Sequence, residues 1–294
     1  MALYAFDGTG AEDREGTDFD SNVLQFFRSY DDASGNDDPS LDRGSLYLKG
    51  IGTRARTLIG TIKAEAFGVG GHRRVRQAMD RLENNIEGGD DVVDIVGFSR
   101  GAALALSFGN EIARKLPQVR VRFIGVWDVV GQFGLPGVHI NAGHIVALPP
   151  NAAHCYHAMA LDESRLLFPL TRLGRGFDVS STLREVWFRG VHSDVGGGNG
   201  NRGLNCLALN WMLENAKRHG LPILAPASVD NSTGQDLPQR ISSHDVDARI
   251  PRVIRVNDLL HASVQLVPGE PHRPHNNPTF KLSRMDDTGA IITV

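Results

Sequence analysis

Three polar residues of this sequence carry side chains that could break an acyl bond together: Ser99, Asp128 and His192. Ser99 is the centre of the pentapeptide Gly97-Phe98-Ser99-Arg100-Gly101, which has the G-x-S-x-G pattern of a nucleophile elbow. A serine hydroxyl becomes a strong nucleophile when a histidine accepts its proton and an aspartate orients that histidine. The sequence therefore predicts Ser99 as nucleophile, His192 as general base and Asp128 as the acid that orients His192.

Each of these residues lies at the end of an apolar run that is typical of a buried strand. The runs cover residues 92–96, 119–127 and 184–189, and a helical run over residues 102–106 follows the first of them. Because the carboxyl ends of parallel strands meet at one edge of a sheet, we expect the three side chains to lie close together. Their chain order, serine, aspartate, histidine, is the order expected of α/β-hydrolases.

The sequence leaves alternatives open for these roles. His192 could be a structural histidine, and Asp128 could cap a turn or pair with an arginine such as Arg100. Asp194 could hold the glycine loop 196–198, or it could replace Asp128 as the residue that orients the base. His192 is preferred as the base because no other histidine lies directly between a predicted strand and a run of three glycines.

Negative charge that develops on a substrate carbonyl oxygen needs preorganised N–H donors beside the nucleophile, an oxyanion hole. The backbone N–H of Arg100 is one predicted donor, because this residue follows the nucleophile directly. The second is predicted in the glycine-rich loop after the first apolar run, at Gly8, Thr9 or Gly10. Asp7 begins this loop and is predicted to support the site, either by orienting the loop or in catalysis.

Asp7, Asp128, His192 and Asp194 could also converge as oxygen and nitrogen ligands of a metal ion. No H-E-x-x-H or EF-hand spacing supports such a site, so the sequence predicts neither a metal nor another cofactor. Asp7-Gly-Thr resembles part of the phosphatase signature D-x-D-G-T. Ala5 stands where the nucleophilic aspartate of that signature would be, which excludes phosphoryl transfer of this kind.

Apolar strand-type runs alternate with amphipathic helical runs, such as residues 71–86. This pattern predicts an α/β fold of the α/β-hydrolase type, with a mostly parallel central sheet and helices on both faces. We expect one domain over residues 1–294. Residues 129–150 are predicted to be an irregular segment that covers the site and contacts an acyl chain, or else packs as core. Residues 221–294 are predicted to be rich in loops, with order only around 252–262 and in the last five residues.

The composition argues against several functions. A formal net charge of −3 gives no electrostatic basis for binding nucleic acid. The two cysteines, Cys155 and Cys206, lie in apolar runs without a C-x-x-C pattern, which predicts neither a disulfide nor a zinc site. The sequence has no signal peptide pattern and no run of about 18 apolar residues, so we expect a soluble chain that is cytoplasmic as synthesised.

A set of motifs spread over nearly the whole chain is similar to those of one hydrolase family. The motifs are Asp7-Gly-Thr-Gly10, Asn22-Val23, Gly50-Ile-Gly-Thr53, Ala66-Phe-Gly68, Gly97-Phe-Ser-Arg-Gly-Ala102, Gly125-Val-Trp-Asp128, Gly190-Val-His-Ser-Asp-Val-Gly-Gly-Gly198 and His261-Ala-Ser-Val264. The sequence resembles the α/β-hydrolase family known as domain of unknown function 2235, which includes phospholipase effectors of type VI secretion. It departs from the family at Val129, where a threonine is usual.

The resemblance implies that Ser99, Asp128 and His192 form a catalytic triad that cleaves carboxylic esters, with a phospholipid or a related acyl lipid as substrate. It implies transient contact with a membrane surface, and a partner in the secretion system that delivers the protein or in an immunity protein. Two alternatives remain open. One is an esterase or amidase for small soluble substrates, and the other is a non-catalytic binding protein with the same fold.

Overall fold

The computed structural model describes residues 1–9, 19–31, 43–50, 64–131, 145–174, 183–224, 240–242, 250–266 and 276–293. The helices and strands of these ranges, in chain order, are β1 (Ala2–Phe6), α1 (Asn22–Ser29), β2 (Leu46–Leu48), α2 (Ala64–Glu87), β3 (Val92–Phe98), α3 (Ser99–Lys115), β4 (Arg120–Trp127), β5 (Ala152–Ala160), β6 (Leu183–Phe188), α4 (His192–Gly196), α5 (Arg202–Arg218), β7 (Leu259–His261), β8 (Arg284–Met285) and β9 (Ile291–Ile292).

All described strands belong to one sheet with the order β2-β1-β3-β4-β5-β6-β7-β8-β9. Every neighbouring pair is parallel except β8 and β9, which are antiparallel. The order reverses at β1, because the chain goes from β1 to β2 on one side and then to β3 on the other. In open parallel sheets, the crevice at such a reversal is where ligands bind, outside the carboxyl ends of the strands.

Helices cover both faces of the sheet, as the sequence predicts. Successive side chains of a strand point to opposite faces, and β1 illustrates this: Ala2, Tyr4 and Phe6 belong to one core cluster, whereas Leu3 and Ala5 belong to another. The first cluster includes apolar residues of α2 and α3, and the second includes apolar residues of α1 and α5. Because both faces are buried, the central strands are almost continuously apolar.

The strand register brings several strand ends to the same level. Phe6 is paired with Gly97 at the ends of β1 and β3, and Phe98 is paired with Trp127 at the ends of β3 and β4. The next pair of strands, β5 and β6, also ends together. The residues that follow these strands therefore meet at one edge, which is where the sequence predicts a site.

The structure extends some of the predicted elements. Helix α2 begins at Ala64, before the predicted start at residue 71. The C-terminal part, predicted to be rich in loops, contributes β7, β8 and β9 to the sheet; β7 lies in the run 252–262 and β9 in the last five residues, but β8 was not predicted.

The predicted covering segment 129–150 falls only partly in the described residues. Its first residues, Val129 and Val130, are buried in the protein, and residues 132–144 lie outside the described part. The division of the chain into one domain stays a prediction. Among the described helices, none has an apolar stretch long enough to cross a membrane.

Candidate active site

The predicted nucleophile lies at a sharp turn between a buried strand and a buried helix. Strand β3 ends at Phe98 and α3 begins at Ser99 with no residue between them. The backbone of Ser99 has φ +58°, a left-handed conformation that residues other than glycine rarely adopt. The backbone carbonyl of Ser99 accepts a hydrogen bond from the N–H of Val130 at 3.2 Å, which ties the turn to the loop after β4.

The two glycines of the pentapeptide make this turn possible. A Cβ atom on Gly97 would lie 2.7 Å from the Cα of Ala102, and one on Gly101 would lie 2.3 Å from the carbonyl oxygen of Phe6. Larger side chains would therefore push α3 away from the ends of β1 and β3. These contacts supply the physical reason for the G-x-S-x-G pattern in this chain.

Asp128 occupies the corresponding position after β4 and is fully buried. Its backbone also has a positive φ, +43°, and its N–H donates to the carbonyl oxygen of Ala158 at 2.8 Å. One carboxylate oxygen, Oδ1, accepts the backbone N–H of Ala160 at 2.8 Å. The other, Oδ2, lies 2.6 Å from Nδ1 of His192. The structure thus joins the predicted acid and the predicted base.

His192 begins the short helix α4, and its backbone N–H donates to Oε2 of Glu163 at 3.1 Å. The imidazole ring lies between two aromatic rings, with centroid distances of 4.6 Å to both Phe98 and Phe168. Burial lowers the pKa of His192, and the charge of Arg252 lowers it further, although Asp128 acts in the opposite direction. These groups favour the neutral imidazole near pH 7, the form that accepts a proton.

Within the described residues, no hydrogen bond joins the Ser99 hydroxyl to the imidazole of His192. Hydrogen bonds between nucleophile and base are often long or poorly aligned without substrate. The ring of Phe98, which contacts His192, also packs against Gly8 and Gly196: a Cβ atom would lie 2.6 Å from the ring at Gly8 and 1.9 Å from it at Gly196.

Arg252 is a further member of the site that the sequence did not indicate. Its guanidinium contacts both oxygens of Asp128: Nη1 donates to Oδ1, and Nη2 donates to Oδ2 at 2.8 Å. Burial opposes ionisation of Asp128, but Arg252 and His192 together hold the pKa of this carboxyl well below its usual range. The sequence left open a pairing of Asp128 with an arginine such as Arg100; the structure shows such a pairing, but with Arg252, 124 positions further along the chain.

The loop after β1 is held by its own aspartate. Oδ1 of Asp7 accepts the backbone N–H of Gly8 at 2.7 Å, and Oδ2 accepts the hydroxyls of Ser21 and Tyr47 at 2.6 and 2.5 Å. Burial raises the pKa of Asp7, and these three hydrogen bonds act against the rise. The contacts support the loop-orienting role of Asp7 that the sequence left open.

The contacts of this loop bear on the choice among the predicted oxyanion donors Gly8, Thr9 and Gly10. The Gly8 N–H is used by Asp7 and is therefore a poor candidate. Of the other two, Thr9 is described and Gly10 lies outside the described residues. The Thr9 hydroxyl is buried without a hydrogen-bond partner in the described part of the chain. Arg100, the predicted donor on α3, has a largely buried guanidinium, and burial lowers its pKa to about 10.

Asp194 faces away from the base. Oδ2 of Asp194 accepts the backbone N–H groups of Val191 and Ser242, each at 3.0 Å. Oδ1 accepts side-chain groups of Asn199, Asn201 and Ser242 at 2.6 to 2.8 Å. All these donors are uncharged, so Asp194 holds the loop around the glycine run, one of the two roles that the sequence left open.

A second buried histidine and carboxylate support the loop that carries Asp128. Nε2 of His157 accepts the backbone N–H of Val129 at 3.2 Å, and Nδ1 lies 3.0 Å from Oε1 of Glu185. Glu185 in turn binds Arg172. The sequence placed His157 in a strand but gave no sign of this contact. Over the described ranges, no three histidine, cysteine, aspartate or glutamate side chains converge in a way that could hold a metal ion.

A comparison with known families identifies the family of this chain. The sequence matches the family of type VI secretion phospholipase effectors of the Tle1-like type, catalytic domain, over residues 3–115 and 109–215. This match covers more than half of the chain. The chain belongs to this Tle1-like family. The resemblance predicted from the motifs is thereby confirmed. No curated protein matches the sequence.

Two solved structures are similar to this Tle1-like chain, and the first of them shows the same fold. An uncharacterised protein from Pseudomonas aeruginosa superposes with a TM-score of 0.56 at 21% identity, covering 76% of this chain and 46% of its own. The Tle1 effector bound to the VgrG spike of the type 6 secretion system superposes with a TM-score of 0.46 at 20% identity, covering 67% of this chain and 50% of its own. The chain thus spans about half the length of the solved structures that it matches.

The Tle1-like match ends at residue 215, and this limit divides the site. Ser99, Asp128 and His192 lie inside the matched segment, whereas Arg252 lies C-terminal to it. The family match therefore gives no indication of the arginine that binds Asp128.

Proposed function

We propose that the chain is a serine hydrolase that cleaves the carboxylic esters of phospholipids or related acyl lipids. The observation that carries the proposal is the 2.6 Å contact between Asp128 and His192 at the sheet edge where Ser99 stands in a left-handed turn. The Tle1-like family to which the chain belongs consists of phospholipase effector catalytic domains, which supports a lipid ester as substrate.

In this mechanism the ionised Asp128 carboxylate accepts a hydrogen bond from Nδ1–H of His192, which keeps the proton on Nδ1 and leaves Nε2 unprotonated. As the Ser99 hydroxyl oxygen attacks the ester carbon, its proton passes to Nε2. The imidazolium then gives this proton to the leaving alcohol as the carbon–oxygen bond breaks. Water, activated by the same imidazole, hydrolyses the acyl-enzyme and restores Ser99.

We assign the oxyanion hole to the backbone N–H of Arg100 and that of Thr9. Arg100 is the second residue of α3, directly after the nucleophile, as in a nucleophile elbow. Thr9 follows the loop that Asp7 fixes, and its neighbour Gly8 is already hydrogen-bonded. Each donor of this kind contributes about 2.7–4 kcal/mol to lowering the barrier where such donors have been removed.

The surroundings of the base favour an apolar substrate. The ring of Phe168 packs on His192, and the preceding residues Leu166 and Leu167 are exposed to solvent, Leu167 by 60%. The backbone N–H of Ile250 donates to the carbonyl oxygen of Ser164. The segment that carries the exposed Val253 therefore runs beside the loop of Leu166 and Leu167. Exposed apolar side chains beside a site commonly contact an apolar ligand or a membrane surface.

The experiment that tests the proposal is labelling with a fluorophosphonate, followed by mass mapping of the adduct. An activated serine attacks the phosphonate as it would an acyl carbon, so we expect a single adduct on Ser99, abolished in Ser99→Ala. Folded protein that is unlabelled, or labelled elsewhere, would show that the mechanism is wrong and would favour a binding protein.

The substrate class is tested separately with active enzyme. We expect turnover of a long-chain ester to rise when its concentration passes into micelles or vesicles. The variants Leu167→Ser and Val253→Ser should reduce this rise and leave a short soluble ester unaffected. A preference for short soluble esters with no change at the aggregation threshold would leave a soluble esterase.

The biological setting follows from the family alone. We propose that the chain acts as cargo of a type VI secretion system, since the family consists of effectors of that system.

A further inference from the structure

The Arg252 side chain is almost entirely enclosed by acceptors of the active site. Besides Asp128, its Nη1 donates to the carbonyl oxygen of Ala160 at 2.7 Å, and its Nη2 donates to that of Phe168 at 3.0 Å. Its side chain is 6% exposed, although the neighbouring Val253 is 78% exposed. This buried guanidinium therefore points into the site from a segment whose other side chains are mostly at the surface.

The geometry of the contact fixes the plane of the Asp128 carboxylate. A guanidinium that binds both oxygens of a carboxylate holds the two groups coplanar, which a single hydrogen bond cannot do. Oδ2 is shared between Nη2 of Arg252 and Nδ1 of His192. Arg252, together with the N–H of Ala160 on Oδ1, therefore sets the direction in which the carboxylate accepts the hydrogen bond of the imidazole.

The segment that carries Arg252 is itself held in place. The side-chain amide of Asn276 donates to the carbonyl oxygens of Leu161 and Arg252, at 3.0 and 2.9 Å. Ile250 is bonded to Ser164. The acceptors Leu161 and Ser164 lie on the loop after β5. The same loop also supplies Phe168 and Glu163 to the surroundings of His192.

We propose that Arg252 is a positioning residue of the active site, which holds the carboxylate of Asp128 ionised and correctly oriented toward His192. The proposal rests on the function proposed above and extends it to the C-terminal part of the chain, beyond the segment that matches the family. Arg252 acts through Asp128 and His192, and it takes no part in the proton transfers.

A second consequence concerns the charge near the base. The charged groups that act on His192 are Asp128, Arg252 and Glu163, and Glu163 is paired with Arg165. The positive charge of Arg252 disfavours the imidazolium. Loss of that charge should therefore raise the pKa of His192. The low-pH side of the pH–activity profile, here called the acid limb, should then move to higher pH.

The test compares Arg252→Gln with Arg252→Lys. For Arg252→Gln we expect the acid limb of kcat/KM for a short soluble ester to move up by about one pH unit, as for a single nearby charge. On that limb kcat/KM then falls about tenfold. Arg252→Lys keeps the charge but not the two-point contact, so the limb should stay near that of the unchanged protein while kcat falls.

The matched control is Arg122→Gln. Arg122 also makes a two-point contact with a buried carboxylate, that of Asp94 on β3. Asp94 lies five residues before Ser99, or about 16 Å along an extended strand. This variant should lose stability and keep the acid limb unchanged, so a shift seen in Arg252→Gln but not in Arg122→Gln does not reflect a general loss of stability.

A readout without turnover separates this inference from the proposed function. The titration of His192 is followed by NMR of histidine-labelled protein, with the signal assigned from His192→Gln. A higher midpoint in Arg252→Gln than in unchanged protein supports the inference even for an inactive chain. If the His192 midpoint is the same in both proteins, Arg252 does not act on the base and the inference is overturned. Failure of Ser99 labelling overturns the proposed function instead.

Discussion

Replacement of Asp128 by asparagine distinguishes the two aspartates that the sequence left as candidates for orienting His192. The amide has nearly the same shape as the carboxylate, and one of its atoms is still an oxygen that can accept the N–H of Ala160. It has no charge, however, and its NH₂ group cannot accept from either His192 or Arg252. The contacts at Oδ2 are therefore the ones lost.

Two energies follow from these contacts. Removal of the charge leaves Arg252 buried without its carboxylate, which typically costs about 3–5 kcal/mol of stability. Domains of this size are stable by about 5–15 kcal/mol, so Asp128→Asn should still fold, with a lower Tm. Catalysis should suffer more: the wrong imidazole tautomer typically lowers kcat by about 10⁴, equal to about 5.4 kcal/mol of barrier.

Asp194→Asn is the matched comparison, because Asp194 is equally buried and two residues from the base. Within the described residues, its hydrogen-bond donors are neutral groups of its own loop and of Ser242. The expected cost is about 1–3 kcal/mol of stability for donors left unpaired, with kcat reduced less than tenfold.

The assay measures kcat on a short soluble ester and Tm for both variants, at a temperature where each is fully folded. The reasoning fails if Asp194→Asn loses more kcat than Asp128→Asn. It also fails if Asp128→Asn retains more than about a hundredth of kcat, because the carboxylate would then not be acting through His192.

Ser99→Ala and His192→Ala should each lower kcat by roughly 10³ to 10⁶, and the double variant should be little worse than either, since triad residues act as a unit; multiplicative losses would contradict the triad. Burial lowers the pKa of His219 to about 4 in the folded protein, whereas a histidine of the unfolded chain titrates near about 6.5. Between these pH values the unfolded chain binds a proton that the folded protein does not, so folding is destabilised as the pH falls. Thermal unfolding should accordingly show Tm decreasing from pH 6.5 to 4, and less so in His219→Gln; equal decreases would assign the effect to other groups. Gly101→Ala should lower the free energy of unfolding, measured in urea, by at least about 1–3 kcal/mol, because its Cβ would meet the carbonyl oxygen of Phe6 at 2.3 Å; unchanged stability would show that helix α3 can shift.

The parts of the site that could be predicted are those with a local signature. The pentapeptide around Ser99 has such a signature. Neighbouring backbone atoms lie so close to positions 97 and 101 that both must be glycine, and two glycines at this spacing can be recognised in the sequence. The ends of β3 and β4 could be placed because apolar runs stop there. The mostly parallel sheet with helices on both faces confirms the predicted α/β fold.

The parts that could not be predicted depend on contacts between distant segments. Arg252 and Asp128 are 124 positions apart, and nothing in the residues around Arg252 marks it as buried. The capture of the Gly8 N–H by Asp7 is different, since aspartates often bind a nearby backbone N–H in turns. This local competition was available from the sequence and would have removed Gly8 as an oxyanion donor.

Backbone strain offers an independent argument for the proposed site. Among the described residues, Ser99 and Asp128 are the non-glycine residues with positive φ. Each such residue typically costs about 1–3 kcal/mol, and such strain persists where surrounding contacts hold it. Here the N–H of Val130 binds the carbonyl of Ser99, and the N–H of Val129 binds His157, so the two turns support each other. Glycine would relieve the strain at either position, but it would remove the hydroxyl or the carboxylate. Both strained turns nevertheless carry a side chain. This arrangement is expected if the two turns serve to present the hydroxyl of Ser99 and the carboxylate of Asp128 to the site.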